Sequence, residues 1–148
     1  MTVLETEACL HAHIPLSADM GVRVAACDAA GVVLRAPLAP NVNHRATVFG
    51  GSASAVAILA AWTWLNHALR EAGIDARLVI QRNTMDYLAP IAGDFEARCP
   101  AAPAEDFARF TRTLQRHGRA RLAVASSLHF DNRIAAAFRG DYVALRAG

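Results

Sequence analysis

The chain has 148 residues, 54% of them hydrophobic and 19% charged, with a formal net charge of +2. That length suits one domain, able to bury roughly two-thirds of the surface an unfolded chain exposes. The apolar fraction excludes intrinsic disorder, and the near-balanced charge argues against a dedicated nucleic-acid binder, whose domains concentrate cations.

Thr2 followed by Glu5 predicts a capping box opening a short helix, with Leu4, Ala8 and Leu10 inward and Pro15 ending it. Glu5 and Glu7 stand where a secretory signal would need a basic and then an apolar run, so a cytoplasmic location is expected. Cys9, Cys27 and Cys99 are odd in number, widely spaced and without a C-x-x-C pair. They predict neither a disulfide framework nor structural zinc. His11 and His13 diverge on a helix and lack partnered ligands, so no metal site is expected. Val22, Val24 and Ala26 alternate, Asp28 to Gly31 turns, and Val32, Leu34 and Ala36 return as the second strand of a hairpin. Pro37 and Pro40 then open a loop running to Phe49.

From Ala46 to Asn66 no residue is charged, a length that can span a bilayer. The stretch nevertheless carries Thr47, Gly50, Gly51, Ser52, Ser54, Thr63 and Asn66, and strand-like segments flank it. It therefore reads as a helix wrapped by protein, starting near Gly51 or Ser52 and capped by Gly73, with no membrane insertion. Its bulk comes from Val56, Ile58, Leu59, Trp62, Leu65 and Leu69. A long strand follows from about Arg77 to Leu88, then a second from Asp94 to Cys99 with Phe95, Ala97 and Cys99 on one face. Phe107, Phe110, Thr111 and Leu114 fall at helical spacing between Pro103 and Gly118. Leu122, Val124, Ser126, Leu128 and Phe130 alternate, Asp131-Asn132 makes a two-residue turn, and Ile134, Ala136 and Phe138 open the last strand. Hairpin connections around one very apolar helix predict an α+β domain, an antiparallel sheet wrapped around a central helix in the hot-dog manner.

The run Ala36-Pro37-Leu38-Ala39-Pro40-Asn41-Val42-Asn43, continuing to Thr47-Val48-Phe49-Gly50-Gly51-Ser52, resembles hot-dog thioester enzymes. More narrowly, it is similar to the bacterial group typified by the hot-dog half of the YiiD protein. Met85-Asp86-Tyr87-Leu88-Ala89-Pro90 and Phe138-Arg139-Gly140-Asp141-Tyr142-Val143 extend the similarity over nearly the whole chain. The resemblance implies action on acyl-CoA or acyl carrier protein thioesters in a homodimer or homotetramer. Coenzyme A or phosphopantetheine then enters as part of the substrate, not as a cofactor. Some relatives decarboxylate malonyl carrier protein instead of hydrolysing.

Thioester chemistry needs donors for negative charge on the former carbonyl oxygen. The first turn of a helix leaves N–H groups unpartnered at the positive end of its dipole, so Gly50, Gly51 and Ser52 are candidates for an oxyanion hole. Phe49 beside them is a candidate substrate contact. The alternative is that the glycines only let the helix pack closely. Asn43 matches a site asparagine of related hot-dog enzymes; its amide can donate to a carbonyl or orient water, or else close a loop turn. Asn41 suits the loop-turn role better.

The acid that many hot-dog thioesterases carry inside the central helix is absent, since Ala55 to Leu59 are all apolar. A base would come from His44, an imidazole suited to proton exchange near neutrality, or from Asp86, reaching a partner subunit. Hydrolysis by a thioesterase is the leading expectation, and the missing acid brings a rival close behind it, decarboxylation of a malonyl thioester, which needs desolvation and enolate donors but no nucleophile. A non-catalytic acyl-thioester binding module is a further alternative. Ser52 and Ser54 lack the strand–elbow context of serine hydrolases. Arg109, Arg112 and Arg116 share a helical face; Arg112 and Arg116 are candidates for holding phosphates, against the plainer reading of a solvated face.

Overall fold

The computed structural model describes residues 1–147. Helix α1 (Val3–His13) begins with the expected capping box, Thr2 and Glu5 exchanging side-chain and backbone hydrogen bonds. Of the three residues expected inward, Leu10 is buried, but Leu4 and Ala8 are not. Leu4 is 74% exposed, whereas Thr6 and Leu10 are buried, and Ala8 is exposed. The helix is rotated because Glu7 docks it to the sheet edge: the carboxylate accepts from Arg23 Nε at 3.0 Å and Val24 N–H at 2.9 Å. Thr6 meanwhile satisfies its hydroxyl on the Thr2 carbonyl. Pro15 ends α1 and opens the short α2 (Pro15–Asp19).

Strands β1 (Arg23–Asp28) and β2 (Gly31–Ala36) form the expected hairpin. The central helix α3 runs Gly50–Glu71, and Gly73 just beyond it has φ +72°. Strand β3 spans Ala76–Tyr87, β4 Phe95–Pro100, β5 Arg119–Phe130 and β6 Arg133–Arg146, with α4 (Ala104–His117) inserted between β4 and β5. Asp131 and Asn132 both have positive φ, as a tight two-residue hairpin turn requires. The six strands make one antiparallel sheet in the order β1-β2-β4-β5-β6-β3.

The sheet curls around α3, the hot-dog arrangement. Val56, Ala57, Leu59, Ala60, Ala61, Trp64, Leu65 and Leu69 are buried against it. Alanines let the sheet approach the helix closely, and two sheet hydroxyls exploit that: Ser126 donates to the Ala57 carbonyl at 2.9 Å, and Tyr142 to the Ile58 carbonyl at 2.8 Å. Trp64 meets Phe107 edge-on, 5.9 Å between centroids, and so seats α4 beside α3. Ile58 and Trp62 are only partly buried; they border an open groove against β3, so one chain does not enclose its helix completely.

Ile134 is a second departure. It is 52% exposed, while Ala135 and Ala136 are buried. Leu128 pairs with Ala136 but His129 pairs with Ile134, so a bulge at Ala135 flips the alternation. Among the described residues, no helix is long and apolar enough to cross a membrane. The three cysteines are free thiols, and burial pushes Cys99 up to about 12, which leaves it protonated and inert.

Candidate active site

The loop after β2 is held by two asparagines with different tasks. Asn41 is buried; its amide nitrogen donates to the carbonyls of Met20 at 2.9 Å and Pro37 at 2.8 Å. Its backbone carbonyl accepts from the Phe49 N–H at 2.8 Å, which fixes where α3 begins. Asn43 closes the turn between Val42 and Val48. Its Oδ1 accepts from Arg45 N–H at 2.8 Å and Thr47 N–H at 3.2 Å, and its Nδ2 donates to Thr47 Oγ1 at 2.9 Å. The Asn43 amide is therefore engaged at both ends by its own loop, the turn-closing alternative.

Phe49 caps α3 with no side-chain hydrogen bond. The first intrahelical bond runs from the Ala53 N–H to the Phe49 carbonyl at 3.0 Å. The N–H groups of Gly50, Gly51 and Ser52 thus lie ahead of the helical ladder, at the end where the dipole is positive. The two glycines serve different purposes. A Cβ at Gly51 would collide with the Phe49 ring, whereas one at Gly50 would sit 3.6 Å from Tyr87 Cε1, an ordinary contact. The exposed Phe49 ring lies across the first turn and fills the space that a Cβ at Gly51 would take.

Beside this turn lies a cavity of about 270 Å³ lined by Val48, Ala53, Tyr87, Leu88, Ile91 and Ala136. The Tyr87 hydroxyl donates to the Gly50 carbonyl at 3.2 Å. Along the rest of α3, Ile58, Trp62, Leu78, Ile80 and Tyr142 line a groove of about 580 Å³ whose far end reaches Asn66 and Arg70.

Of the residues singled out from sequence, the structure brings together Phe49, Gly50, Gly51 and Ser52. His44 sits exposed in the Asn43 turn. Asp86 pairs with Ala137, and Tyr87 with the cavity-lining Ala136, so strand alternation turns Asp86 to the sheet face opposite the helix start of its own chain. Arg112 and Arg116 are exposed on α4, whose other side buries Phe110 and Leu114; they do not border either cavity. Sequence reading passed over Tyr87 as a site residue. Its signal was the same alternation, which puts position 87 on the helix side whenever 86 faces away.

A family model described as "Putative thioesterase (yiiD_Cterm)" matches residues 3–146. A protein of unknown function from Chlorobaculum tepidum TLS has a similar structure, with TM-score 0.93 and 28% identity, covering 98% of this chain and 94% of that one. A "putative thioesterase" from Shewanella oneidensis superimposes with TM-score 0.86 at 25% identity, over 97% and 96% of the two chains. The Haemophilus influenzae thioesterase HI1161, at 11% identity and TM-score 0.76 over 99% and 92%, shares the fold.

Proposed function

The chain belongs to the YiiD C-terminal family, matched over residues 3–146, and on that premise we propose that it cleaves acyl thioesters with the start of α3 as its oxyanion cradle. The observation that carries this reading is the set of unpartnered N–H groups at Gly50, Gly51 and Ser52 beside an apolar cavity. As a nucleophile adds to the thioester carbon, charge collects on the carbonyl oxygen, and preorganised N–H donors stabilise it without reorganising; one such donor is worth roughly 3–4 kcal/mol. Water is that nucleophile; collapse of its adduct re-forms the carbonyl and breaks the C–S bond, and the proton water gives up passes to the departing thiolate of coenzyme A or of a carrier's phosphopantetheine, leaving a free acid and a thiol. Asn41 and Asn43 act as positioning residues that hold the approach to the cradle.

The working unit in this reading is a homodimer. Strand β3 is a twelve-residue edge with exposed Val79 and Tyr87, and a long open edge invites pairing. Two copies paired antiparallel about the midpoint of β3 set Ala76 against Tyr87 and Arg77 against Asp86. Neither Arg77 nor Asp86 has an ion-pair partner among the described residues, and the bulge between Ile80 and Arg82 leaves both on the outer face. The same pairing lays the cradle of one copy beside the α3–β3 groove of the other, extending the slot for an acyl chain.

A second reading is decarboxylation of a malonyl thioester, favoured by the lack of any acid in α3 before Glu71. Loss of carbon dioxide leaves an enolate whose oxygen the same donors hold, with no base required, and its carbon then takes a proton from water to give the acetyl thioester. Incubating the protein with acyl- and malonyl-carrier protein and weighing the products separates the two. Free acid with bare carrier supports hydrolysis, acetyl-carrier selects decarboxylation, and saturable binding without products overturns both.

A further inference from the structure

A second groove, remote from the cradle, is built by a split in the sheet. Strand β4 is six residues long and β5 is twelve, and the two pair only through Glu96–Arg98 with Ser127–His129. Beyond that point β4 ends at Pro100, and Pro103 follows; neither has an N–H to continue a ladder. On that side, residues 119–126 of β5 have no strand partner among the described residues. Alternate residues of an antiparallel strand direct both N–H and C=O to the same side, so this edge offers donors and acceptors in alternation. Between it and α4 lies a groove of about 570 Å³ with Phe110 and Pro103 on its apolar side and Arg109 and Arg139 around it. One carboxylate is present, Asp106, 3.8 Å from Arg109. Arg139 has no ion-pair partner among the described residues, while Arg121 turns its guanidinium the other way, across β6, to donate to Gln81 Oε1 at 3.4 Å.

From this we infer that the β5 edge is a docking site for a short extended peptide bearing acidic side chains, which adds as a strand between β5 and α4. Charge complementarity selects the acidic character, because the guanidiniums of Arg109 and Arg139 border the groove and only that of Arg109 has a carboxylate beside it. The strand edge selects a peptide over a phosphate ester. Phosphate oxygens only accept, and would leave the carbonyls of β5 unmatched, whereas a peptide backbone supplies both partners at the strand's own spacing. Residues 120–125 offer about 20 Å of edge at strand rise, enough for five or six residues.

The probe is a capped, fluorescent hexapeptide of alternating glutamate and valine, titrated into the full chain. Saturable binding of one peptide per chain is expected, weakened at least ten-fold in Arg139→Glu, with Arg139→Gln as the second variant should the first lower the melting temperature. Two versions N-methylated on opposite alternate amides discriminate further: one keeps its affinity and the other loses at least ten-fold, because only one set of amides faces β5. Equal behaviour of the two methylated peptides, competition by tripolyphosphate at equal concentration, or no binding overturns the proposal.

Discussion

The Tyr87 hydroxyl donates to the Gly50 carbonyl at 3.2 Å, and that carbonyl belongs to the same peptide unit as the Gly51 N–H. Donation to the oxygen polarises the peptide, so the Gly51 N–H becomes a better donor to a developing oxyanion. Tyr87→Phe removes about 1 kcal/mol of hydrogen bonding. The expected result is a kcat lowered roughly five- to ten-fold with KM unchanged and normal circular dichroism. A raised KM at constant kcat would assign Tyr87 to acyl-chain contact instead.

Gly51 and Gly50 separate by their neighbours. Gly51→Ala drives a methyl into the exposed Phe49 ring, which must swing off the first turn by rotating about its own side-chain bonds. With Phe49 moved off the turn, the substrate contact proposed for it is lost, and KM is expected to rise roughly ten-fold at unchanged kcat. Gly50→Ala meets only ordinary contact with Tyr87 and is expected to stay within a few-fold of the parent. Steady-state kinetics on both variants check the contrast, and equal losses would remove the Phe49 clash from the account.

The two asparagines are distinguished by melting and by rescue. Asn41→Ala leaves the buried Met20 and Pro37 carbonyls without their donor, a loss of about 2–3 kcal/mol. A melting temperature lower by roughly 5–10 °C is expected. Asn43→Ala loosens only the turn, about 1 kcal/mol, but is expected to lower turnover steeply by unseating the approach to the cradle. Asn43→Asp keeps the Oδ1 acceptor for Arg45 and Thr47 and is expected to recover most of that activity. A dead aspartate variant would return Asn43 to direct contact with substrate.

Charge exchange tests the paired edge. Arg77→Asp sets like charges against Asp86 twice in a symmetric pair, and Asp86→Arg does the same in reverse. Each is expected to weaken association roughly ten-fold by sedimentation, exposed pairs being worth less than about 1 kcal/mol apiece. The double exchange restores it. Monomers that persist in the double variant would exclude this register.

Acid stability turns on Glu7. Burial opposes its ionisation, but the Val24 N–H and the Arg23 guanidinium outweigh that and hold its carboxyl below the usual carboxylate range. A carboxylate lowered by folding stabilises the native state above its unfolded value and loses that contribution as pH falls through its folded value. Stability is therefore expected to drop below about pH 4.5, the ordinary value. Glu7→Gln flattens that slope and costs about 1 kcal/mol at neutral pH, readable by urea melts across pH 3–7.

Local chemistry wrote most of the architecture into the chain: the Thr2–Glu5 box, the Asp131-Asn132 turn, the Gly73 cap and the alternation of β2, β4 and β5 all stand where the residues place them. Burial direction was legible only while alternation stayed unbroken. A bulge at Ala135 reversed Ile134, and the Glu7 dock rotated Leu4 outward, because both depend on partners distant in sequence. The helix start was readable to within one or two residues, Gly50 where Gly51 or Ser52 was expected, since an uncapped turn is a local fact. Which asparagine is buried, which face Asp86 takes and the presence of Tyr87 at the cradle were decided by packing β3 against β6 and the loop against Met20. Periodicity states what each segment prefers; only the closed sheet determines which side chains meet across it.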